Sequence, residues 1–304
     1  MIVVCGEALV DLVPAAGLVG YLARPGGSPA NVAVGVGRLG LDVALLTRLS
    51  TDHFGQLIRD HLVQSHVDLS LAAVTTARTT VAMVTLSPDG NAGYDFGIDG
   101  GADDGWRLEE LPPALPEGAA LHVSGALALA VPSMGATLSA LFDREHGRRV
   151  ITLDPNPRPA LGAEESVLFE RWLPRADIVK VSEEDLDFLC PGEQMSSVAR
   201  RWLASGPSLV VVTRGADGVY ALASDSVELP APPVDLVDTV GAGDAFMAGL
   251  LAALERAGRL DRDGLRALRP DELAPILAYA QRVAAATCER VGADPPWLAD
   301  LGPQ

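Results

Sequence analysis

Short apolar runs alternate with helix-like stretches along this chain, most regularly after about residue 120. This alternation predicts parallel β-strands joined by crossover helices, the arrangement of an α/β fold. We predict strands at 2–5, 8–13, 42–47, 80–86, 93–98, 119–123, 149–153, 177–181, 208–213 and 218–222. We predict helices at 29–39, 53–66, 133–146, 164–172, 183–189, 195–205, 242–257 and 271–290. Ligands in such folds bind at the carboxyl ends of the strands, so a functional site is expected at that edge.

Two segments, 8–25 and 72–100, interrupt the alternation because their predicted strands have no helix between them. Within the second segment, Ser87–Gly93 has the composition of a hairpin turn. The residues alone predict only that these strands depart from the main sheet. A length of 304 residues allows two average domains or one large α/β domain, and we expect a single domain over 1–304.

Charge and composition exclude several classes of function. A formal net charge of −17 leaves no basic surface to displace counterions from a nucleic acid, so no nucleic-acid partner is expected. No apolar run is long enough to span a bilayer, so no membrane partner is expected. Met1–Cys5 has no basic region before it and predicts a buried first strand in a cytoplasmic protein. The three cysteines are far apart and are expected to be small core residues.

The chain contains a single lysine, Lys180, and all its other cationic side chains except histidine are arginines. A Gly-x-x-x-x-Gly-Lys-Ser/Thr phosphate loop is therefore excluded, because no such motif leads into Lys180. The glycine loop and the other motifs of protein kinases are also missing. Lys180 lies near the end of the apolar run Asp177–Val181. We expect a solvated lysine at a strand end, while a position near a site stays open as the alternative.

The stretch Asp238–Leu251 reads Asp-Thr-Val-Gly-Ala-Gly-Asp-Ala-Phe-Met-Ala-Gly-Leu-Leu and combines a glycine turn with an apolar helix start. The turn is expected to leave the backbone N–H groups from Gly241 to Asp244 unpaired at the positive end of the helix dipole, which makes an anion site. A carboxylate repels a bound anion, so we interpret Asp244 as a general base beside a transferring phosphate. The local alternative is a helix start with Asp244 as a capping group.

Two more glycine-rich blocks accompany this stretch. Gly26–Gly40 reads Gly-Gly-Ser-Pro-Ala-Asn-Val-Ala-Val-Gly-Val-Gly-Arg-Leu-Gly, and Thr213–Tyr220 reads Thr-Arg-Gly-Ala-Asp-Gly-Val-Tyr. Together with Asp238–Leu251, these blocks resemble the PfkB, or ribokinase-like, family of sugar and nucleoside kinases. The resemblance covers roughly residues 2–297. It implies a doubly wound, mainly parallel sheet with helices on both faces, and a small β-sheet lid over the sugar from the two interrupting segments.

Two shorter elements look like fructokinases in particular. Gly6–Pro14 reads Gly-Glu-Ala-Leu-Val-Asp-Leu-Val-Pro, and Asp154–Arg158 reads Asp-Pro-Asn-Pro-Arg, an element shared with 2-keto-3-deoxygluconate kinases. The resemblance therefore implies ATP-dependent phosphorylation of a primary sugar hydroxyl, with fructose as the first choice. Lid-to-lid homodimers occur in the family, so the same arrangement is a candidate for this chain.

The family's functional residues carry over to the matching positions of this chain. The sugar-binding positions, besides Asp244, are Asp11, Gly26, Gly27 and Asn31. The ATP-binding positions are Asn156, Arg158, Thr213, Gly215, Gly218, Gly241 and Gly243. Beside the base Asp244, the groups implied to stabilise the transferring phosphoryl are Gly241, Ala242, Gly243 and Arg158. A guanidinium suits this role because it can donate two hydrogen bonds to phosphate oxygens.

The resemblance also implies Mg²⁺, carried mainly by the ATP phosphates, and allows a K⁺ site. Many family members have Asn-x-x-Glu where this chain reads Ser-Glu-Glu-Asp over 182–185. Asp185 is one methylene shorter than glutamate, so either Asp185 or Glu184 is a candidate to position Mg²⁺ through water. Asp238 matches a monovalent-cation position whose other ligands would be carbonyl groups of the 288–294 loop.

Other functions stay open on the sequence. A 2-keto-3-deoxygluconate kinase would need an arginine in the lid, and Tyr94–Asp99 contains none, although Arg158 still allows an acidic substrate. Kinases of ribose or nucleosides rank lower. A non-catalytic sugar-sensing module is expected to lose the base or the anion turn, and both are present in this sequence.

Overall fold

The computed structural model describes residues 1–15, 20–86, 92–158, 161 and 164–302. Its strands are β1 (Ile2–Cys5), β2 (Leu9–Pro14), β3 (Tyr21–Gly26), β4 (Val43–Leu46), β5 (Arg48–Ser50), β6 (Val67–Asp68), β7 (Ala73–Thr75), β8 (Val81–Leu86), β9 (Ala92–Gly97), β10 (Ala120–Ser124), β11 (Ile151–Asp154), β12 (Ile178–Ser182), β13 (Leu209–Thr213), β14 (Val219–Leu222) and β15 (Ser226–Leu229). Its α-helices are α1 (Ser28–Arg38), α2 (His53–Gln64), α3 (Ala126–Ala130), α4 (Pro132–Glu145), α5 (Glu164–Trp172), α6 (Glu183–Leu189), α7 (Met195–Ser205), α8 (Ala242–Arg256), α9 (Arg262–Arg266) and α10 (Pro270–Cys288).

The main sheet has the strand order β15-β14-β13-β12-β11-β10-β1-β4-β6. All its pairings from β13 to β6 are parallel, and only β14 and β15 join antiparallel. Successive strand residues alternate between two buried apolar clusters, so that Val4 and Val3 belong to opposite faces of the sheet. Burial on both faces explains why these strands are continuous apolar runs. The predicted mainly parallel α/β sheet is confirmed.

Helices cover both faces of the main sheet. Side chains of α1, α2, α8 and α10 form one apolar cluster with the sheet, and side chains of α3, α4, α6 and α7 form the other. On the first face, α1 and α8 approach closely, since a Cβ on Gly35 would lie 2.6 Å from the Cβ of Ala248. This close packing brings the first turns of α1 and α8 together above the sheet edge.

A small second sheet has the order β3-β2-β8-β9 and uses strands from the two segments that interrupt the alternation. Its strands β8 and β9 pair antiparallel, whereas residues 87–91 of the predicted hairpin turn lie outside the described residues. The sequence did not single out β3 as a strand. Pro25 lies in β3, and this is compatible with pairing because β3 is at the edge of the small sheet.

The predicted strands and helices agree with the structure to within about two residues at each end. Besides β3, the elements that the sequence did not predict are short, with two to five residues each, and such lengths show little of the repeating apolar pattern of a strand or helix. They are β5, β6, β7, β15, α3 and α9. Among the described residues, the length and hydropathy of the helices fall short of what a membrane-crossing segment needs.

Candidate active site

The carboxyl ends of β10, β11, β12 and β13 lie side by side at one edge of the main sheet. Ser124 is in register with Asp154, and Ser182 is in register with Thr213. The first turn of α1 reaches this edge, where the Oγ of Ser28 lies 3.3 Å from the Oγ of Ser124. The glycine-rich blocks and the Asp154 loop are thus brought to the same edge of the sheet.

Asp244 occupies the first turn of α8 and is held by α1. Its Oδ1 accepts a hydrogen bond from the Oγ of Ser28 at 2.7 Å, and its Oδ2 accepts one from the Nδ2 of Asn31 at 2.9 Å. Burial raises the pKa of Asp244 above its ordinary value, while these two hydrogen bonds and the charges of Lys180 and Arg158 oppose the rise. The carboxylate does not cap its own helix, so the capping alternative is wrong.

The turn that begins α8 depends on glycine. Gly241 has a φ of 78°, and a Cβ there would lie 2.6 Å from the Cβ of Ala293, so a larger residue is excluded on both counts. The N–H of Ala242 donates to the carbonyl of Thr239 at 3.2 Å, which corrects the expectation that every amide from Gly241 to Asp244 is open. The N–H groups of Gly241, Gly243 and Asp244 have no partner within the described residues. We call these three amides and the space they face the anion cradle.

Lys180 lies beneath the anion cradle, and the expectation of a solvated lysine is wrong. The residue is only 4% exposed, and its Nζ donates to Oδ2 of Asp154 at 2.8 Å. A Cβ on Gly243 would lie 3.0 Å from that Nζ. The missed signal was the position of Lys180 within an apolar strand, next to a strand that ends in Asp154. A charge in such a place needs a partner.

The Lys180–Asp154 pair is buried and has the geometry of an ion pair, with 2.8 Å between Nζ and Oδ2. Burial would lower the pKa of Lys180, but the carboxylates of Asp154, Asp185 and Asp244 raise it above the ordinary value. Burial raises the pKa of Asp154 to about 6, against the opposing charge of Lys180. The Oδ1 of Asp154 has no hydrogen-bond partner in the described part of the chain.

The predicted sugar-binding residues Asp11, Gly26 and Gly27 lie next to one another where β2 and β3 approach α1. The Asp11 carboxylate occupies the place where a Cβ of Gly26 would lie. Gly27 has a φ of 98°, and a Cβ there would lie 2.8 Å from the carbonyl oxygen of Glu7. Burial and the charge of Asp244 raise the pKa of Asp11 to about 6, while Arg158 lowers it. Asp11 therefore shares one electrostatic environment with the candidate base.

Arg158 and Asn156 lie in the loop that follows β11. The charge of Arg158 lowers the pKa of Glu7, Asp11 and Asp244, so its guanidinium is near enough to act on all three carboxyl groups. Asn156 has a φ of 41°, a left-handed conformation that is uncommon outside glycine. Such strain is found at functional sites more often than elsewhere.

The predicted nucleotide turn follows β13. The Oγ1 of Thr213 donates to the carbonyl of Val181 at 3.4 Å, which links the turn to β12. Gly215 and Gly218 have φ values of 51° and 92°, so both positions favour glycine. The turn therefore lies beside the strand that carries Lys180.

Asp185, the candidate magnesium-positioning residue, caps its own helix. Its Oδ2 accepts from the N–H of Ser182 at 2.9 Å, and its own N–H donates to the Oγ of Ser182 at 3.0 Å. The other candidate, Glu184, is exposed. Within the described residues, no three His, Cys, Asp or Glu side chains are placed to hold a metal ion together.

Asp238, the candidate monovalent-cation residue, joins the turn before α8 to a loop after α10. Its Oδ1 accepts from the N–H of Val240 at 3.1 Å, and its Oδ2 accepts from the N–H of Gly292 at 2.8 Å. Gly292 belongs to the 288–294 loop in which the other ligands were expected. The structure thus brings Asp238 and that loop together.

Two buried acids near the site were not identified from the sequence. Burial and the neighbouring Asp103 raise the pKa of Glu7 well above its ordinary value. Burial also raises the pKa of Asp103 to about 7. Glu7 follows β1, and its carboxylate lies against Gly125 at the end of β10, where a Cβ would clash with it. For Glu7, the signal in the sequence was an acid between the apolar runs of β1 and β2, whereas Asp103, next to Asp104 and Gly105, has no such signal.

The model of the family described as "pfkB family carbohydrate kinase" matches residues 1–300 of this chain. A fructokinase from Klebsiella pneumoniae is 40% identical over 296 residues, which are 95% of this chain and 94% of the relative. The ATP-bound fructokinase of Xylella fastidiosa superposes with a TM-score of 0.87 at 28% identity, covering 99% and 96% of the two chains. A fructokinase double mutant of Vibrio cholerae O395, bound to fructose, ADP and a potassium ion, gives a TM-score of 0.84 at 29% identity, covering 99% and 96%.

Proposed function

This chain belongs to the pfkB family of carbohydrate kinases, and we propose that it transfers the γ-phosphoryl group of ATP to a primary hydroxyl of fructose. The observation that carries the proposal is the meeting of Asp244 with the anion cradle, a base and an anion site on one helical turn. The fructokinase relatives support fructose over the other sugars.

The sugar would bind where β2 and α1 meet. Asp11 would accept hydrogen bonds from sugar hydroxyls, while Gly26 and Gly27 let the backbone approach closely. Asn31 would contact the sugar from α1 and also hold the carboxylate of Asp244 at 2.9 Å. Asp244 would then accept the proton of the attacking primary hydroxyl, for which a raised pKa is suited because it makes the carboxylate a stronger base.

The phosphoryl group would lie on the anion cradle. The open amides of Gly241, Gly243 and Asp244 would stabilise the negative charge on its oxygens, with Arg158 on the loop side. Asn156, Thr213, Gly215 and Gly218 would hold the remaining phosphates, since their loops border the same sheet edge. Fixing donor and acceptor in one orientation lowers the barrier to transfer.

Two cations fit the site. Mg²⁺, held mainly by ATP, would neutralise charge on the phosphate oxygens. Asp185 would act only through water because its carboxylate also caps α6. We propose K⁺ near Asp238, with carbonyl groups of the 288–294 loop as further ligands, as the potassium ion bound to the Vibrio relative suggests.

We propose that the small sheet is the lid of a single domain, and that two lids meet in a homodimer. One face of the sheet exposes Tyr21 and Met83, an apolar surface suited to a second copy. Light scattering on Met83→Asp would test this, since a monomer is expected in place of a dimer. A cytoplasmic location is proposed because the reaction uses ATP and all three cysteines are free thiols.

The function is tested by a coupled assay of ADP release with fructose, 2-keto-3-deoxygluconate, ribose and adenosine. We expect the highest kcat/KM with fructose. A higher kcat/KM with one of the other acceptors would replace fructose as the substrate. Sugar binding by calorimetry without ADP release from any acceptor would instead indicate a sensor.

A further inference from the structure

Lys180 is the buried charge that the mechanism above leaves without a role. Of its three N–H groups, one donates to Asp154, and no other hydrogen-bond partner of Nζ occurs among the described residues. Gly243 forms part of the anion cradle, and the missing Cβ of this glycine leaves the space next to Nζ open, at 3.0 Å. A cation with free donors thus lies at the floor of an anion site.

We propose that Lys180 is a further catalytic residue, whose ammonium donates a hydrogen bond to an oxygen of the phosphoryl group held on the anion cradle. Asp154 is then a positioning residue that keeps the ammonium at the floor of the cradle. The inference rests on the proposed phosphoryl transfer, and it adds a second cation to the one contributed by Arg158.

A purely structural role explains the pair less well. A buried ion pair is seldom more stable than apolar side chains of similar size, so stability alone does not favour a charge here. Ile178, two residues before Lys180 and on the same face of β12, is fully buried, which shows that an apolar side chain fits on this face of the strand. Lys180 also influences Asp244 electrostatically, so it lies within range of the reacting groups.

Two variants separate a catalytic role of Lys180 from a role in neutralising the charge of Asp154. Lys180→Met removes the ammonium but leaves Asp154 buried and unpaired, so this variant alone can lose activity through misfolding. The double variant Asp154→Asn with Lys180→Met removes both charges and keeps similar volumes. We expect the double variant to fold, with a fructose KM near that of the wild type and a kcat about 10²–10³-fold lower. A kcat of the folded double variant within a few-fold of the wild type would overturn the proposal.

Because Lys180 is the only lysine, protein labelled with ¹³C-lysine gives a single side-chain ε-methylene signal that needs no assignment. We expect this signal to shift when the non-hydrolysable analogue AMP-PNP is added with Mg²⁺, and to shift far less with AMP, which lacks the β and γ phosphates. Calorimetry on the same samples measures whether each nucleotide binds.

The outcomes distinguish this inference from the proposed function. Binding of AMP-PNP without a shift of the lysine signal beyond that caused by AMP would exclude contact between Lys180 and the phosphates, and the kinase assignment would stand. Failure of AMP-PNP to bind would overturn the nucleotide site and the role of Lys180 together. A large shift that is specific for AMP-PNP, together with the loss of kcat in the double variant, would establish Lys180 as catalytic.

Discussion

Helices α6 and α8 begin at the same edge of the main sheet, and each has aspartate as its third residue. In α6, Asp185 turns back and accepts a hydrogen bond from the N–H of Ser182, while Ser182 accepts one from the N–H of Asp185. In α8, Asp244 turns away from its own helix and is held by Ser28 and Asn31. One residue type at one helical position therefore has two different roles.

The residue before each helix explains the difference. The Ser182 hydroxyl accepts the N–H of Asp185, and the Asp185 carboxylate accepts the N–H of Ser182, so the start of α6 is capped by its own sequence. Gly241 has no side chain to accept a hydrogen bond, so the amides of Gly243 and Asp244 stay open, and the Asp244 carboxylate is held by Ser28 and Asn31 of α1 instead. A closed start stabilises the fold, whereas an open start is free to bind an anion.

Asp244→Asn is expected to have the largest effect on catalysis. The amide keeps the size of the side chain but cannot accept the hydroxyl proton, so kcat is expected to fall about 10³-fold. The fructose KM should change little, because the sugar-binding groups remain. Steady-state kinetics on fructose at saturating Mg²⁺ check this, with Asp185→Asn, the matched aspartate from α6, expected to keep a kcat near that of the wild type. Near-normal turnover of Asp244→Asn would remove Asp244 from the role of base.

Gly243→Ala tests whether the open start of α8 is kept for function. Alanine is favoured over glycine inside a helix by about 1 kcal/mol, so the melting temperature should stay the same or rise. The added Cβ would lie 3.0 Å from Nζ of Lys180 and narrow the anion cradle, so kcat should fall about 10-fold or more. Thermal unfolding and kinetics on one preparation measure both effects. Full activity together with a higher melting temperature would contradict the hypothesis that Gly243 is kept for function.

Ser28→Ala tests the role of Asp244 through the pH dependence of kcat/KM. The Ser28 hydroxyl donates to Oδ1 of Asp244 and favours the ionised carboxylate, so its loss should raise the pKa of Asp244 further. Protonation of the base removes activity as the pH falls, and the acid limb of kcat/KM should therefore move to higher pH by about one unit. At pH values above the limb, the variant and the wild type should agree. An unmoved limb would mean that another group controls it.

Ser182→Ala has the smallest expected effect on catalysis. It opens the capped start of α6, which should lower the free energy of unfolding by about 1 kcal/mol in urea titrations. Because α6 is not expected to bind the phosphoryl group, kcat/KM for fructose should stay within about twofold, well inside the change that Gly243→Ala produces. A rise in the KM for ATP that is relieved by added Mg²⁺ would show instead that the Ser182 and Asp185 cap also serves the metal.

The fold was largely predictable because its signals are local and repeated. Strands buried on both faces are continuous apolar runs, and the long helices between them display several turns of periodicity. The small sheet was recognised as an interruption, and only the family resemblance gave it a role. Short elements such as β5 and α3 were missed because they contain less than a full sequence signal.

The candidate site was predictable where glycine marks the backbone, and less so where side chains meet across the fold. Gly26, Gly27 and Gly241 were identified from the sequence, and the structure shows why a Cβ is excluded at each. The pairing of Lys180 with Asp154 depends on the adjacency of β11 and β12. Local sequence does not contain that adjacency, and so the lysine was assigned to solvent.

The hydrogen bonds that hold Asp244 join residues 216 and 213 positions apart in the chain. During synthesis on the ribosome, the glycine block that begins at Gly26 emerges long before α8 does. A nascent chain that stops short of α8 has the first half of the sugar pocket but neither the base nor the anion cradle. The proposed site is therefore complete only when the last third of the molecule has folded against the first, and we expect no consumption of ATP by the unfinished chain.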